Sequence, residues 1–325
     1  MTVLFPAELA SLESELMTGL ASVEAMLREE IASDYALADI TARHLVEAGG
    51  KRFRPLLVLL ASQFGDPTAK GVVPSAVVVE LTHLATLYHD DVMDEADVRR
   101  GAESANSRWG NTVAILSGDF LFARSSKILA DLGPEAVRVQ AETFERLVIG
   151  QLRETTGPVD GEDAVKHHLE VLADKTGSLI AASGRYGAMM SGATAELTDK
   201  IAEFGEAIGI AFQLSDDLLD IESTVSGKTP GTDLREGIKT LPVLLALADA
   251  STDVRLRELL NKQLTDDAEH AEALSALRAH PAMDQARGVL SEWTEKAREL
   301  ALSLPDGDAK LALVTLCDSV ANRSI

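Results

Sequence analysis

"YHDDVMDEADVRRG" (88–101) sets five acids within eight positions and follows them with two arginines and a glycine. A near-twin, "QLSDDLLD", stands at 213–220. Each holds two adjacent aspartates and a third three residues on: Asp90, Asp91, Asp94, and Asp216, Asp217, Asp220. At about 100° per residue each triplet falls on one helical face. Val77, Leu81, Tyr88 and Val92 lie opposite the first, and Ala211, Leu214, Leu218 and Ile221 opposite the second. Two amphipathic helices, each with an apolar stripe and a carboxylate face, predict helix packed on helix. Three carboxylates on two turns repel one another unless a cation sits among them. Hard divalent ions take oxygen ligands, and Mg²⁺ favours a few carboxylates completed by substrate phosphates. The reading is acids holding metal, metal holding phosphate, and Arg99 and Arg100 neutralising the remainder. A solvated charged face explains one triplet adequately; it does not explain two of identical spacing.

The rest of the chain agrees. Its 325 residues hold 4% aromatics, abundant Ala and Leu, and few Gly or Pro, a composition that favours helices. A net charge of −22 argues against nucleic acid as a partner. A single cysteine, Cys317, excludes an internal disulfide and suits a reducing cytoplasm. The start "MTVLFPAELASLESEL" has no basic segment typical of a signal peptide, and runs such as "PLLVLLA" are too short for a transmembrane segment. The helical pattern predicts elements from about 34 to 48, 55 to 64, 74 to 94, 110–131, 135–154, 162–190, 197–222, 239–249 and several after 253. No repeat, linker or strand-like alternation appears, so one all-α domain over 1–325 is expected, its motifs in the core at about 40–245 and further helices at 253–325. The segment 222–240, rich in Gly and Thr, reads as a loop and a candidate lid.

In so acidic a chain the cations are informative. "GGKRFRP" (49–55) sets Lys51, Arg52 and Arg54 between a helix end and a helix start, where glycines allow close approach and a helix N-terminus favours an anion. It is not a Walker A loop. Arg52 reads equally as a helix-cap ion pair. Lys175-Thr176, Lys228 and Lys239 are further cations beside polar turns, and His83 falls on the Asp90 face with Thr86 between them.

Together "GGKRFRP", "HDDVMDEADVRRG", "DKT", "FQLSDDLLD" and "GKTPGTDLREGIKT" resemble the trans-polyprenyl diphosphate synthases, in that family's order over roughly 40–245. The resemblance implies an all-α bundle of the isoprenoid synthase type around a central cavity, a homodimer, and successive head-to-tail condensation of isopentenyl diphosphate onto an allylic diphosphate. It assigns Asp90, Asp91, Asp94, Asp216, Asp217 and Asp220 to Mg²⁺, about three ions per site with Mn²⁺ able to substitute. Lys51, Arg54, His83 and Arg100 would grip isopentenyl diphosphate. Arg99, Lys175, Thr176, Gln213, Lys228 and Lys239 would contact the allylic substrate, with Lys175 catalytic. Glu95 and Asp97 suit an outer position. The sequence shows no obvious base for the C2 proton, which points to the released diphosphate.

Chain length in such enzymes depends on the residues four and five before the first aspartate, here Thr86 and Ala85. Small residues there imply a long product, about seven to ten isoprene units, as used in quinone side chains, with a farnesyl- or geranylgeranyl-type product as the alternative. The wheel puts Thr86 on the Asp90 face and Ala85 towards the apolar side. Phe144 and Leu147 are candidates for the tunnel floor. The motif is most like that of actinobacterial members, and implies a cytoplasmic enzyme touching membrane only to release product. A terpene cyclase lacks a use for "GGKRFRP" and has a different second metal motif. A metal phosphohydrolase built on His44, His89 and Asp90 leaves the second triplet unexplained. A regulatory subunit of a prenyltransferase pair tends to lose aspartates, and none is missing here.

Overall fold

The computed structural model describes residues 5–222 and 230–322, and they are almost wholly helical. In chain order the first helices are α1 (Ala10–Glu30), α2 (Ala36–Glu47), α3 (Phe53–Ser62) and α4 (Val72–Met93). Strands β1 (Val98–Arg99) and β2 (Ala102–Glu103) precede α5 (Ala105–Trp109), α6 (Asn111–Leu132) and α7 (Pro134–Thr156). There follow α8 (Ala164–Leu172), a π turn at Ala173–Gly177, α9 (Ser178–Met190), α10 (Ala195–Glu222), α11 (Thr232–Glu236) and α12 (Leu241–Ala248). The last are α13 (Val254–Leu259), α14 (Asp267–Arg278), α15 (Ala282–Leu302) and α16 (Asp308–Ala321). None is long and apolar enough to cross a membrane.

The helices gather into two compact units, one of residues 1–144, 179–202 and 304–312, the other of 145–178, 203–303 and 313–325. In the first, α4 is central and packs against α1, α3, α5 and α6. Its first four turns are buried on nearly every side, with Val77, Val78, Val79, Leu81 and Leu84 fully enclosed. A helix apolar all round belongs in the middle of a core, and only its last turns become polar. In the second unit α12 packs on α8, α14 and α15. There α10 buries Phe204, Ile208, Ala211, Leu214, Leu218 and Ile221 along one stripe. Asp163, Asp253 and Asp266 cap α8, α13 and α14 by accepting backbone N–H groups, which satisfies donors a helix leaves open.

Several features differ from the sequence reading, the first being that α1 (Ala10–Glu30) lies ahead of every helix the pattern predicts. The predicted 162–190 helix is interrupted by the π turn. Between α4 and α5 the chain makes a small antiparallel hairpin, Val98 opposite Glu103 and Arg99 opposite Ala102. Its turn, Arg100-Gly101, has φ of 54° and 77°, the doubly positive pair of a type I′ hairpin turn. Within the expected loop 222–240 the described part includes the short helix α11.

Candidate active site

The hairpin explains the order of acids and arginines in 88–101. It folds Arg99 back onto the end of α4, where Nε donates to Asp91 Oδ1 at 2.5 Å and Nη2 lies 3.7 Å from Asp94 Oδ2. Arg100 points the other way, donating to the carbonyls of Leu45 at 3.0 Å and of Gly49. The turn between helices α2 and α3 is thus joined to the hairpin. Gly50 has a φ of 156°, which side chains rarely adopt, and a Cβ there would stand 2.9 Å from Arg52 Nη1 and 3.0 Å from Arg100 Nη1, so both guanidiniums would have to move.

Beneath these arginines lies Glu80, a lone acid in the apolar run of α4 and only 2% exposed. It accepts from Arg52 Nη1 at 2.8 Å and sits 4.0 Å from Arg100 Nη2. Arg52 also pairs with Glu24 and caps the start of α3 in a left-handed conformation, so it is an internal strut, the second of its two sequence readings. Removing one member of a buried ion pair leaves its partner uncompensated. Glu80→Ala is therefore expected to cost about 3 kcal/mol of stability, read as a shifted urea midpoint.

Arg54 and His83 sit in the same cationic neighbourhood. Burial pulls the Arg54 guanidinium down to about 10, with Glu80 opposing the shift and Arg100 adding to it, so it stays charged at neutral pH. Its Nε is buried with no partner among the described residues. Burial, reinforced by Arg54, Arg100, Arg52 and Arg99, holds His83 well below the usual imidazole range, so it is neutral at pH 7. The unfolded chain binds a proton at this position near pH 6.5, where the native one does not, so the group lowers stability as pH falls. His83→Gln is expected to flatten the loss of urea resistance between pH 7.5 and about 5.5. Lys51 lies exposed beside this group. Four arginines act electrostatically on the His83 imidazole, a local excess of positive charge in a chain of net charge −22.

The aspartates do not share one open face as the wheel predicts. In both triplets the middle residue turns inward: Asp91 is 0% and Asp217 3% exposed, while Asp90, Asp216 and Asp220 are half-buried and Asp94 is exposed. The reason is the 100° step between neighbours, which carries the second aspartate to the edge of the apolar stripe. Each buried carboxylate has a partner from another element. Asp91 has Arg99, and burial nonetheless raises its pKa against that pull. Asp217 Oδ2 stands 2.9 Å from His168 Nε2 of α8 and accepts from the Leu241 N–H at 3.4 Å. Asp220 accepts from the N–H groups of Thr232 at 3.0 Å and Asp233 at 3.2 Å, and so anchors α11.

Among the described residues no three His, Cys, Asp or Glu side chains converge to hold a metal by themselves. The donors nevertheless suit Mg²⁺, which takes hard oxygens and relies on substrate phosphates for part of its shell. Asp91 Oδ2, buried and without a hydrogen-bond partner among the described residues, is one such donor.

On the second unit the π turn presents Lys175 and Thr176, both half-buried, and Lys175 Nζ pairs with Glu154 of α7. Gln213 is half-buried on α10, and Lys239 Nζ donates to Asn261 Oδ1 at 3.1 Å. Lys228 lies outside the described residues. Glu95 and Asp97 are exposed beyond the end of α4. Thr86 is half-buried and bonds the His83 carbonyl at 2.8 Å, whereas Ala85 has no exposed surface, as the wheel has it. Phe144 stacks edge-on against Phe122 at 4.5 Å, and Leu147 is buried. Tyr88 joins α4 to α2, its hydroxyl donating to Thr41 O and accepting from the Leu45 N–H.

The sequence reading missed Glu80, His168 and Glu154. Glu80 did leave a signal, a single charge following the apolar run Ala76–Val79; His168 did not, because His167 beside it is equally eligible. Both histidines of the phosphohydrolase alternative bond backbone carbonyls. His44 Nε2 is taken by the Glu103 carbonyl at 2.7 Å, and His89 Nε2 by that of Ile115 at 3.1 Å.

An all-α chain bearing paired aspartate triplets and a buried arginine cluster has the fold of the isoprenoid synthases. The polyprenyl synthetase family model matches residues 36–277, and the chain belongs to that family. It is accordingly a prenyltransferase. It is 51% identical over 310 residues to the nonaprenyl diphosphate synthase of Mycobacterium tuberculosis, covering 94% of this chain and 92% of that one. Geranylgeranyl pyrophosphate synthase from Corynebacterium glutamicum, solved with calcium and isoprenyl diphosphate, superposes with a TM-score of 0.88 at 43% identity, covering 97% of this chain and 98% of that one. A decaprenyl diphosphate synthase from Rhodobacter capsulatus gives 0.88 at 34% identity, covering 97% and 99%.

Proposed function

We propose that the chain is a long-chain all-trans polyprenyl diphosphate synthase, adding isopentenyl diphosphate repeatedly to an allylic diphosphate. The observation that carries this is the pairing of two DDxxD helices with a separate buried arginine cluster, since the reaction needs a place for each of two diphosphates. Small Thr86 and Ala85 and the likeness to a nonaprenyl synthase favour the long product. The whole chain acts as one functional domain, in the cytoplasm, with peripheral membrane contact at product release. Exposed Ile115 and Leu116 on α6, and Val148, Ile149 and Leu152 on α7, support a homodimer.

In this reading Asp90, Asp91 and Asp94, with Asp216, Asp217 and Asp220, hold about three Mg²⁺ ions. Bound metal supplies positive charge to the departing allylic diphosphate. Arg99, Lys175, Thr176, Gln213, Lys228 and Lys239 bind that diphosphate more tightly as it leaves, which lowers the barrier to breaking the C–O bond. Lys51, Arg54, His83 and Arg100 hold isopentenyl diphosphate so that its double bond meets the allylic carbocation. A new C–C bond forms, the C2 proton departs to the released diphosphate, and the double bond is restored between C2 and C3.

Incubating the pure chain with farnesyl and isopentenyl diphosphates and Mg²⁺, with mass spectrometry of the products, tests this. Products beyond about six isoprene units are expected. A stop at farnesyl or geranylgeranyl length refutes the long product. Cyclic hydrocarbons, phosphate release alone, or no turnover without a second subunit refute the reaction assignment.

A further inference from the structure

Lys175 and Thr176 sit in a π turn, an uncommon geometry that concentrates at functional sites and needs support from its surroundings. The support comes from α7. Arg146 Nε donates to Asp174 Oδ1 at 2.9 Å and Nη2 to the Ala173 carbonyl at 3.3 Å, while Nη1 reaches Glu206 Oε2 of α10 at 2.7 Å. Two turns on, Arg153 Nη1 donates to Asp174 Oδ2 at 2.9 Å. Both oxygens of a carboxylate only 15% exposed are thus taken by guanidiniums from one helix. Ser178 Oγ adds a bond to the Asp174 carbonyl at 2.5 Å. Gly150, between the two arginines, lets the turn lie flat on α7: a Cβ there would stand 2.7 Å from the Lys175 backbone nitrogen.

We propose that Arg146 and Asp174 are positioning residues for prenyl transfer. They fix the turn that aims Lys175 and Thr176 at the allylic diphosphate, and through Glu206 they tie it to the helix carrying Asp216, Asp217 and Asp220. This rests on assigning Lys175 and Thr176 to the allylic substrate. Neither positioning residue touches substrate. The Arg146–Glu206 pair is a poor candidate for a mere stabiliser: its members are 36% and 38% exposed, and such pairs contribute little to folding.

The experiment compares Asp174→Asn, Arg146→Gln, Arg146→Lys and Gly150→Ala, with Lys175→Ala as reference. Melting temperature, KM for farnesyl diphosphate, KM for isopentenyl diphosphate and calorimetric binding of farnesyl thiolodiphosphate with Mg²⁺ are measured. Asp174→Asn, Arg146→Gln and Gly150→Ala are expected to weaken farnesyl binding and raise its KM about tenfold, with the isopentenyl KM changed less than about twofold. Arg146→Lys keeps the charge but not the fork and recovers only part of the loss. Equal changes in both KM values, or effects that follow melting temperature alone, overturn the proposal. Unchanged farnesyl binding in Asp174→Asn and Arg146→Gln, with binding lost in Lys175→Ala, overturns it while sparing the Lys175 assignment. Unchanged binding in Lys175→Ala overturns both.

Discussion

Asp90→Ala is expected to lower kcat about a thousandfold while the protein melts within a few degrees of the native chain. Asp216→Ala should do the same. Both residues are half-buried and neither belongs to the apolar stripe of its helix, so truncating either leaves the packing of α4 and α10 intact. The comparison with their neighbours makes the experiment sharp. Asp91 and Asp217 are enclosed and paired with Arg99 and His168, so alanine at either is expected to cost stability as well as turnover. Steady-state kinetics with parallel thermal melts would separate the two outcomes. Near-native turnover in Asp90→Ala and Asp216→Ala would remove the metal assignment.

Thr86→Phe should cut the product to about four isoprene units, the second large effect. Thr86 lies one turn before Asp90 and is half-buried, so an aromatic ring there takes up space next to the reacting end. Ala85 offers a built-in contrast. It has no accessible surface, so phenylalanine there overpacks the core and is expected to cost about 1–3 kcal/mol. Product mass spectrometry and urea unfolding of the two variants discriminate the roles. Full-length product from Thr86→Phe would mean that growth is stopped elsewhere, with Phe144 and Leu147 next to examine.

Most of the helices and both aspartate triplets were legible in the sequence because a 3.6-residue period and a repeated spacing are local properties. What escaped was non-local. A wheel places Asp91 100° from Asp90 but does not say that Arg99, eight residues on, will return to cover it; that depends on a turn with two positive φ angles. The π turn was hidden inside a pattern that reads as one continuous helix, and the groups that bond it, Arg146 and Arg153, stand on another helix. His168 and Glu154 acquire meaning only from the partners that folding brings to them. Arg52 was ambiguous between strut and ligand until Glu24 and Glu80 appeared on either side of it.

The two-residue turn at Arg100-Gly101 leaves no slack. Adjacent side chains of one hairpin serve opposite directions, Arg99 towards the acids of α4 and Arg100 towards the carbonyls behind the glycine pair. An added or deleted residue would rotate one guanidinium out of place whatever happened to the other. The length of that turn therefore couples the aim of one guanidinium to that of the other.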